Sequence, residues 1–438
     1  MRRYLVGAVS LVVFASLPGV GAGAAQAAAR PMCLGRKATI VGTQGNDRIR
    51  GTRRADVIVA KAGNDRINGR GGNDVICAAN GDDFATGGKG ADRLDAGPGS
   101  DVVSGGPGND FIDGGPGLAD TVDYLTGAKG AVEVNLPAGV ARGAGRDELE
   151  GIENVTGTRF DDAIYGNELA NALMGAGGDD TLLGNLGPDF ITPGPGNDTV
   201  NGGGDPDTVD YYFSNPKGSL TIDLFGAEGT ATGQGTDTLE SIEAAGGGDF
   251  DDTMLGDNGQ NAFFGFGGDD TLRGAVGAND FLQGGPGDDL LDGGTGTGDT
   301  ADYLSPLEGA APVEVSLVAG TATGQGQDTF EGIEKINGSD FDDIITGDDF
   351  DNTLFGFDGD DTIAGLGGND FISGGPGVDT VDGGDGQDDC LSAEENTNCE
   401  FTLLRAQRRR VMNVADWSRP MLMTVRGGLV VQAYSRRR

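Results

Sequence analysis

The chain has no histidine, one tryptophan and four cysteines in 438 residues, and aromatic side chains make up only 6% of it. Without imidazole, Ser–His and Cys–His nucleophile systems are excluded, and so is imidazole-ligated zinc. Basic residues are scarce: 30 Lys and Arg stand against 69 Asp and Glu, a formal charge of −39. A body this acidic repels nucleic acid phosphates and anionic lipid, so the expected partners include no nucleic acid and no membrane insertion. Long apolar stretches are missing except for Tyr4 to Leu17, which falls short of the ~20 residues a membrane helix needs. That stretch follows Arg2 and Arg3 and precedes A-x-A sites at Ala25–Ala27 and Ala27–Ala29. This is the order of a secretory leader, so residues 1–29 read as a signal peptide and the mature product as secreted.

Glycine, by contrast, occupies 84 positions. So much glycine with so few aromatics leaves a disordered polar chain or a repeat protein. The repeat is present. From Gly42 a frame of nine residues advances without a slip, as in G-G-K-G-A-D-R-L-D from Gly87 and G-G-P-G-N-D-F-I-D from Gly105. Position six is aspartate in the first eight blocks: Asp47, Asp56, Asp65, Asp74, Asp83, Asp92, Asp101 and Asp110. Position eight is apolar: Ile49, Ile58, Ile67, Ile76, Ala85, Leu94, Val103 and Ile112. The ninth block carries one extra residue, which moves its aspartate to Asp120. Three further arrays follow. Their aspartates are Asp162, Asp180, Asp189, Asp198 and Asp207; then Asp252, Asp270, Asp280 and Asp289; then Asp343, Asp361, Asp370, Asp379 and Asp388. Asn171, Asn261 and Asn352 replace the second aspartate of each.

Between arrays the period changes to two. Val132, Val134 and Leu136 alternate with polar residues, as do Leu220, Ile222 and Leu224, and Val313, Val315 and Leu317. Such alternation reads as half-buried strand. Each insert ends on Ile-Glu, at Ile152-Glu153, Ile242-Glu243 and Ile333-Glu334, and then enters Phe-Asp-Asp at Phe160, Phe250 and Phe341. The expected fold is all-β: a parallel β-roll, or β-solenoid, of nonapeptides with wider β inserts in the same stack. The expected organisation is a leader (1–29), an N-terminal cap (30–41), a first roll (42–123), three insert-plus-roll units (124–210, 211–302, 303–389), a disulfide-closed cap (390–400) and a disordered basic tail (401–438).

In the last three residues of a block only the middle side chain faces inward, because strand residues alternate faces. Six turn residues and three strand residues make half a coil, and two nonapeptides complete one. Stacking coils at about 4.8 Å brings Asp47 over Asp65 and Asp65 over Asp83, so like charges approach and a cation must sit between them. Calcium suits this place: it is hard, takes six to eight oxygens, and accepts carboxylates and backbone carbonyls in irregular geometry. Magnesium holds its water and demands a near-octahedral shell. Binding free energy then acts as folding free energy.

The block G-G-x-G-x-D-x-U-x resembles the repeats-in-toxin nonapeptide, and the resemblance covers residues 42 to 389. It implies a parallel β-roll with calcium between adjacent turns, the ligands being the position-six aspartates named above together with turn carbonyls. Several blocks depart from the pattern: Gly51-Thr52, Ala60-Lys61 and Ala78-Ala79 replace the glycine pair, and Pro188 precedes Asp189. The three asparagines lose a charge, so their sites are expected to be weak or absent.

Cys33, Cys77, Cys390 and Cys399 suit disulfides in an exported chain. Cys390 and Cys399 close a local loop. Cys33 with Cys77 is the remaining pair, but more than two coils of roll between them, at ~4.8 Å per coil, would hold them near 12 Å. Either residues 33–41 fold back or the pairing fails. The tail, residues 401–438, holds nine arginines against Asp416; it reads as a solvated extension, with attachment to an anionic cell-surface polymer as the alternative. Carboxylate pairs such as Asp82-Asp83 recur with the repeat, whereas a catalytic pair should be unique. No non-repetitive segment is long enough for an enzyme domain. The sequence therefore points to a non-enzymatic, secreted calcium-binding protein. A calcium-stiffened adhesin or spacer with an extracellular ligand is the alternative, and a hydrolase a more distant one.

Overall fold

The computed structural model describes residues 30–399 apart from 118, 227, 305–310 and 392–394, together with the short strands Phe401–Thr402, Met423–Val425 and Val430–Gln432. The expected leader and nearly all of the basic tail lie outside the described residues.

The nonapeptides form two parallel sheets laid face to face. On one side Ile49 pairs with Ile67, Ile67 with Ala85 and Ala85 with Val103. On the other Ile40 pairs with Ile58, Ile58 with Ile76, Ile76 with Leu94 and Leu94 with Ile112. Partners are eighteen residues apart, so two blocks make one coil. The pleat sends only the position-eight side chain inward, and one apolar cluster runs unbroken from Ile49 to Cys390 between the sheets. Among the described residues there is no α-helix, only a 3-10 turn at Tyr212–Ser214.

The inserts belong to the same stack. In the first, strands Glu133–Asn135, Val140–Arg142 and Arg146–Glu150 form an antiparallel meander. Its outer members pair in parallel with the roll, Arg146–Glu150 on Phe111–Asp113 and Glu133–Asn135 on Ala163–Tyr165. The opposite sheet meanwhile steps directly from Thr121–Asp123 to Asn154–Thr156. One sheet therefore gains two strands that the other lacks. The inserts at Thr221–Glu240 and Glu314–Glu331 repeat this.

Both disulfides form: Cys390–Cys399, and Cys33–Cys77 with 5.7 Å between Cα atoms. The fold-back alternative accounts for the second. Met32–Cys33 and Arg36–Lys37 make an antiparallel hairpin, which lies on the outer face of the sheet. There Cys33 and Ala38 are buried against Val59 and Val75. The hairpin thus crosses the rungs sideways instead of adding one beneath them.

Candidate metal centres in the turns

Every position-six aspartate of the arrays lies at the lip of the roll, where the turn enters the strand. From Asp65 onward, Oδ1 accepts the backbone N–H of the position-six residue one coil earlier, except that Asp162, Asp252 and Asp343 accept from Val132, Leu220 and Val313 of the inserts. Asp47 N–H donates to Asp65 at 2.7 Å, Asp65 N–H to Asp83 at 2.7 Å and Asp83 N–H to Asp101 at 2.7 Å. The predicted superposition of Asp47, Asp65 and Asp83 is therefore present, stitched by a charge-assisted ladder. A second ladder runs the opposite way outside it. Position-five side chains accept N–H groups from the following coil, as Asn46 does from Asn64 and Asp161 from Asp179. Pro188 leaves the inner ladder intact: Asp189 still accepts from Asn171 and donates to Asp207. Pro188 lacks a position-five N–H, but Ala170, one coil earlier, offers no side-chain acceptor for it.

The second carboxylate oxygen divides the turns into two kinds. In Asp65, Asp74, Asp83, Asp92, Asp101, Asp110, Asp180, Asp189, Asp198, Asp207, Asp270, Asp280, Asp289, Asp361 and Asp370, Oδ2 is buried and accepts no hydrogen bond. In Asp47, Asp56, Asp162, Asp252 and Asp343, Oδ2 accepts the N–H of the residue four before it, from Thr43, Thr52, Thr158, Gly248 and Ser339 respectively. The cause is the backbone at position two. Every turn of the first kind has positive φ there, from Phe357 at 72° to Gly203 at 112°. This swings the N–H out of the loop and onto the next coil, as Gly88 N–H donates to the Gly105 carbonyl. None of the five donors of the second kind has positive φ. Asp379 and Asp388 follow Gly375 and Gly384, both at positive φ, and so share the first backbone form.

Lys61 and Ala79, which replace a glycine, adopt positive φ nevertheless, whereas Thr52 does not. The asparagine turns are of the second kind and close upon themselves. Asn352 Oδ1 accepts Asp348 N–H, and its amide donates to Asp348 Oδ1 at 3.2 Å. Asn171 and Asn261 do the same with Asn167 and Asp257.

Several residues beyond the position-six aspartates hold equivalent places. Asp120 and Asp299, each displaced by one extra residue, accept from Asp101 and Asp280 at 2.8 Å, and their Oδ2 atoms are likewise bare. Glu153, Glu243 and Glu334 of the Ile-Glu pairs accept from Asp120, Asp207 and Asp299. Asp147, Asp237 and Asp328 in the inserts accept from Asp110, Asp198 and Asp289. At these last three the second oxygen is not bare. Buried tyrosines donate to it: Tyr124 at 3.0 Å, Tyr211 at 2.7 Å and Tyr303 at 2.7 Å. The signal was the recurrent Asp-Tyr pair at 123–124, 210–211 and 302–303.

Desolvation dominates the electrostatics. Burial, partly offset by the backbone N–H each carboxylate accepts, pushes Asp83 and Asp92 up to about 6. Asp101 rises to about 8 and Asp270 to about 9, with carboxylates of adjacent coils adding to the burial. A buried carboxylate with one bare oxygen and anionic neighbours requires either a proton or a cation.

The space beside these oxygens suits a cation that accepts carbonyls. A Cβ added to Gly87 would lie 2.5 Å from Asp92 Oδ2 and 2.8 Å from the carbonyl oxygen of Gly105, so position one is a cradle between a carboxylate and the next coil's carbonyl. Gly265 and Gly356 face Asp270 and Asp361 in the same way. Among the described residues no group of three or more Asp, Glu, His or Cys side chains converges to hold a metal. An ion held here would draw most of its shell from turn carbonyls, which calcium accepts and transition metals do not favour.

No curated protein matches this chain. The family model described as RTX calcium-binding nonapeptide repeat (4 copies) matches residues 38–52, 50–85, 86–117, 174–209, 246–279, 277–298, 337–372 and 355–390. With about half its length so matched, the chain belongs to the RTX calcium-binding nonapeptide repeat family.

Proposed function

We propose that this is a secreted, non-enzymatic calcium-binding β-roll whose folding is coupled to the ion. The observation that carries the reading is the concordance between positive φ at position two and a buried, bare Oδ2 at position six. The backbone has withdrawn its own donor at the oxygens that must bind something positive. The ligands are the aspartates of the first kind, joined by Asp120, Asp299, Asp379 and Asp388, with turn carbonyls completing each shell. Asp47, Asp56, Asp162, Asp252 and Asp343 serve instead as register pins satisfied by backbone.

The charge supports coupling. Without the two leader arginines and the +8 of the tail, the chain's −39 leaves −49 on residues 30–400, and a polar chain so charged resists compaction. The test is circular dichroism of the mature protein with calcium, then chelator, then magnesium. A β signal that appears with calcium, disappears with chelator and is not restored by equal magnesium is expected. A β signal unchanged in chelator at neutral pH would overturn the reading.

A further inference from the structure

The acidic average conceals a basic end. Between residues 30 and 70 ten Lys and Arg stand against three Asp, so the first coils are as basic as the rest is acidic. Six arginines are gathered there. Arg48 and Arg66 are direct neighbours on adjacent strands of one sheet, and Arg50 lies two residues along from Arg48 on the same face. Arg53 and Arg54 occupy the turn that follows. Gly72 of the next coil packs so closely on the Arg54–Ala55 peptide that a Cβ would have no room, which places Arg70 beside that turn. All six are exposed. Among the described residues the ion pairs are Arg142–Glu133 and Arg273–Asp292, and none of the six takes part. Arg66 stands over the Phe84 ring at 5.6 Å. The Cys33–Cys77 bond brackets this segment in the chain and fastens its hairpin to the opposite sheet of the same coils.

We infer that this end is a docking surface for a linear polyanion bearing repeated phosphate or sulfate groups. Arginines rooted on strands about 4.8 Å apart and ~6.6 Å apart along one strand can offer their forks to successive tetrahedral oxyanions, which arginine binds in bidentate fashion. A charge on an end strand also discourages edge pairing, but one or two charges suffice for that, and these extend over two coils and a turn. A second copy of the chain fits less well, because docking would bring two strongly acidic rolls together. A thin polymer touches the basic end alone, and the acidic roll then projects away from it. This goes beyond calcium binding and requires only that the first coils be folded.

The test uses the full mature protein in calcium, with dextran sulfate, polyphosphate and neutral dextran immobilised as probes. Wild type is expected to bind either charged polymer and not the neutral one. The combined Arg48→Gln, Arg50→Gln, Arg53→Gln, Arg54→Gln variant, with an unchanged β signal, should bind at least tenfold more weakly. By the ~0.7 per contact seen for flexible polyanions, its log-affinity against log-salt slope should fall by about 3. The tail variant Arg408→Gln, Arg409→Gln, Arg410→Gln should bind as wild type does. Retained affinity and slope in the first variant would overturn the inference, as would loss of binding in the tail variant. Failure of wild type to bind either polymer, with self-association by sedimentation that the first variant abolishes, would overturn it in favour of a second copy.

Discussion

The arrays and the inserts solve one problem in two ways. In both, a buried carboxylate stitches one coil to the next through Oδ1, leaving Oδ2 in need of a positive partner. At Asp147, Asp237 and Asp328 the protein supplies it, from the hydroxyl of a tyrosine buried in the core. At Asp92, Asp101 or Asp270 it supplies nothing. The inserts are thus self-sufficient junctions, as are the first two turns of each array, and the turns that follow in each array are open ones. A stack built only of open junctions would depend wholly on the ion. Under the proposed coupling, one interrupted at the three inserts by closed junctions would keep local points of order from which an array could zip up when calcium arrives, as repeat stacks do from a nucleus.

The largest effect should come from chelation followed by hydrogen exchange. At ~100 times Kd each occupied site adds about 2.7 kcal/mol, so removing calcium should abolish amide protection across residues 75–117 and 353–382. Protection should decline least around Arg146–Thr156 and Thr236–Gly248, beside the tyrosine junctions. Uniform loss across arrays and inserts would remove the distinction.

Acid should imitate calcium in the arrays. Burial raises the folded-state values of Asp101, Asp110, Asp198 and Asp270 to between about 7 and about 9, above the ordinary carboxylate value. The folded metal-free roll therefore holds more protons than the unfolded chain, and its stability falls as pH rises from about 4 through those values. In chelator, β structure absent at pH 8 should return as the pH is lowered towards 4.5. With calcium present the dependence reverses, since protons displace the ion. A chelated protein with the same dichroism at pH 8 and 4.5 would contradict the assignment of the bare oxygens.

The roll was legible because its period is rigid: aspartate and an apolar residue at fixed phase through so many blocks leave little choice of register. The Asp47–Asp65–Asp83 superposition followed from the eighteen-residue coil alone. The division of the turns was not legible, because it depends on φ at position two, and residue type does not settle φ there. Gly248 stays out of the positive region while Phe266, Leu366 and Lys61 enter it. The tyrosine junctions were hidden for another reason. Tyr211 and Asp237 are 26 residues apart, and the contact exists only after the meander has folded back on the stack. The fold-back of Cys33 also needed the hairpin, which a frame of nine cannot express.

A smaller effect tests the closed junction directly. Tyr211→Phe removes one hydroxyl and leaves Asp237 Oδ2 buried without a donor. Such a loss costs about 1–3 kcal/mol, so the calcium-loaded protein should unfold at lower urea concentration. More tellingly, the variant should lose protection around Thr236–Glu240 in chelator as an array does. A variant as stable as wild type, with unchanged exchange there, would show that the hydroxyl bond is not what closes the insert.

The smallest effect concerns the open turns. Leu366 is exposed and sits at φ 76°, a conformation that costs a residue with a Cβ roughly 1–2 kcal/mol. Leu366→Gly relieves that cost, although it also enlarges the freedom of the unfolded chain by up to ~1 kcal/mol. The net change is therefore small in the calcium-loaded protein, within about 1 kcal/mol. The kind of turn is the sharper readout. If positive φ at position two is what keeps Asp370 Oδ2 open, Leu366→Gly should leave calcium affinity intact, whereas Leu366→Thr, whose β-branch disfavours positive φ and whose N–H can then donate to Asp370 Oδ2 as Thr52 N–H does to Asp56, should cost the turn its site. Equal calcium stoichiometry in the two variants, measured by titration of proteins with matching dichroism, would separate backbone conformation from ion binding and dissolve the contrast between open and closed turns.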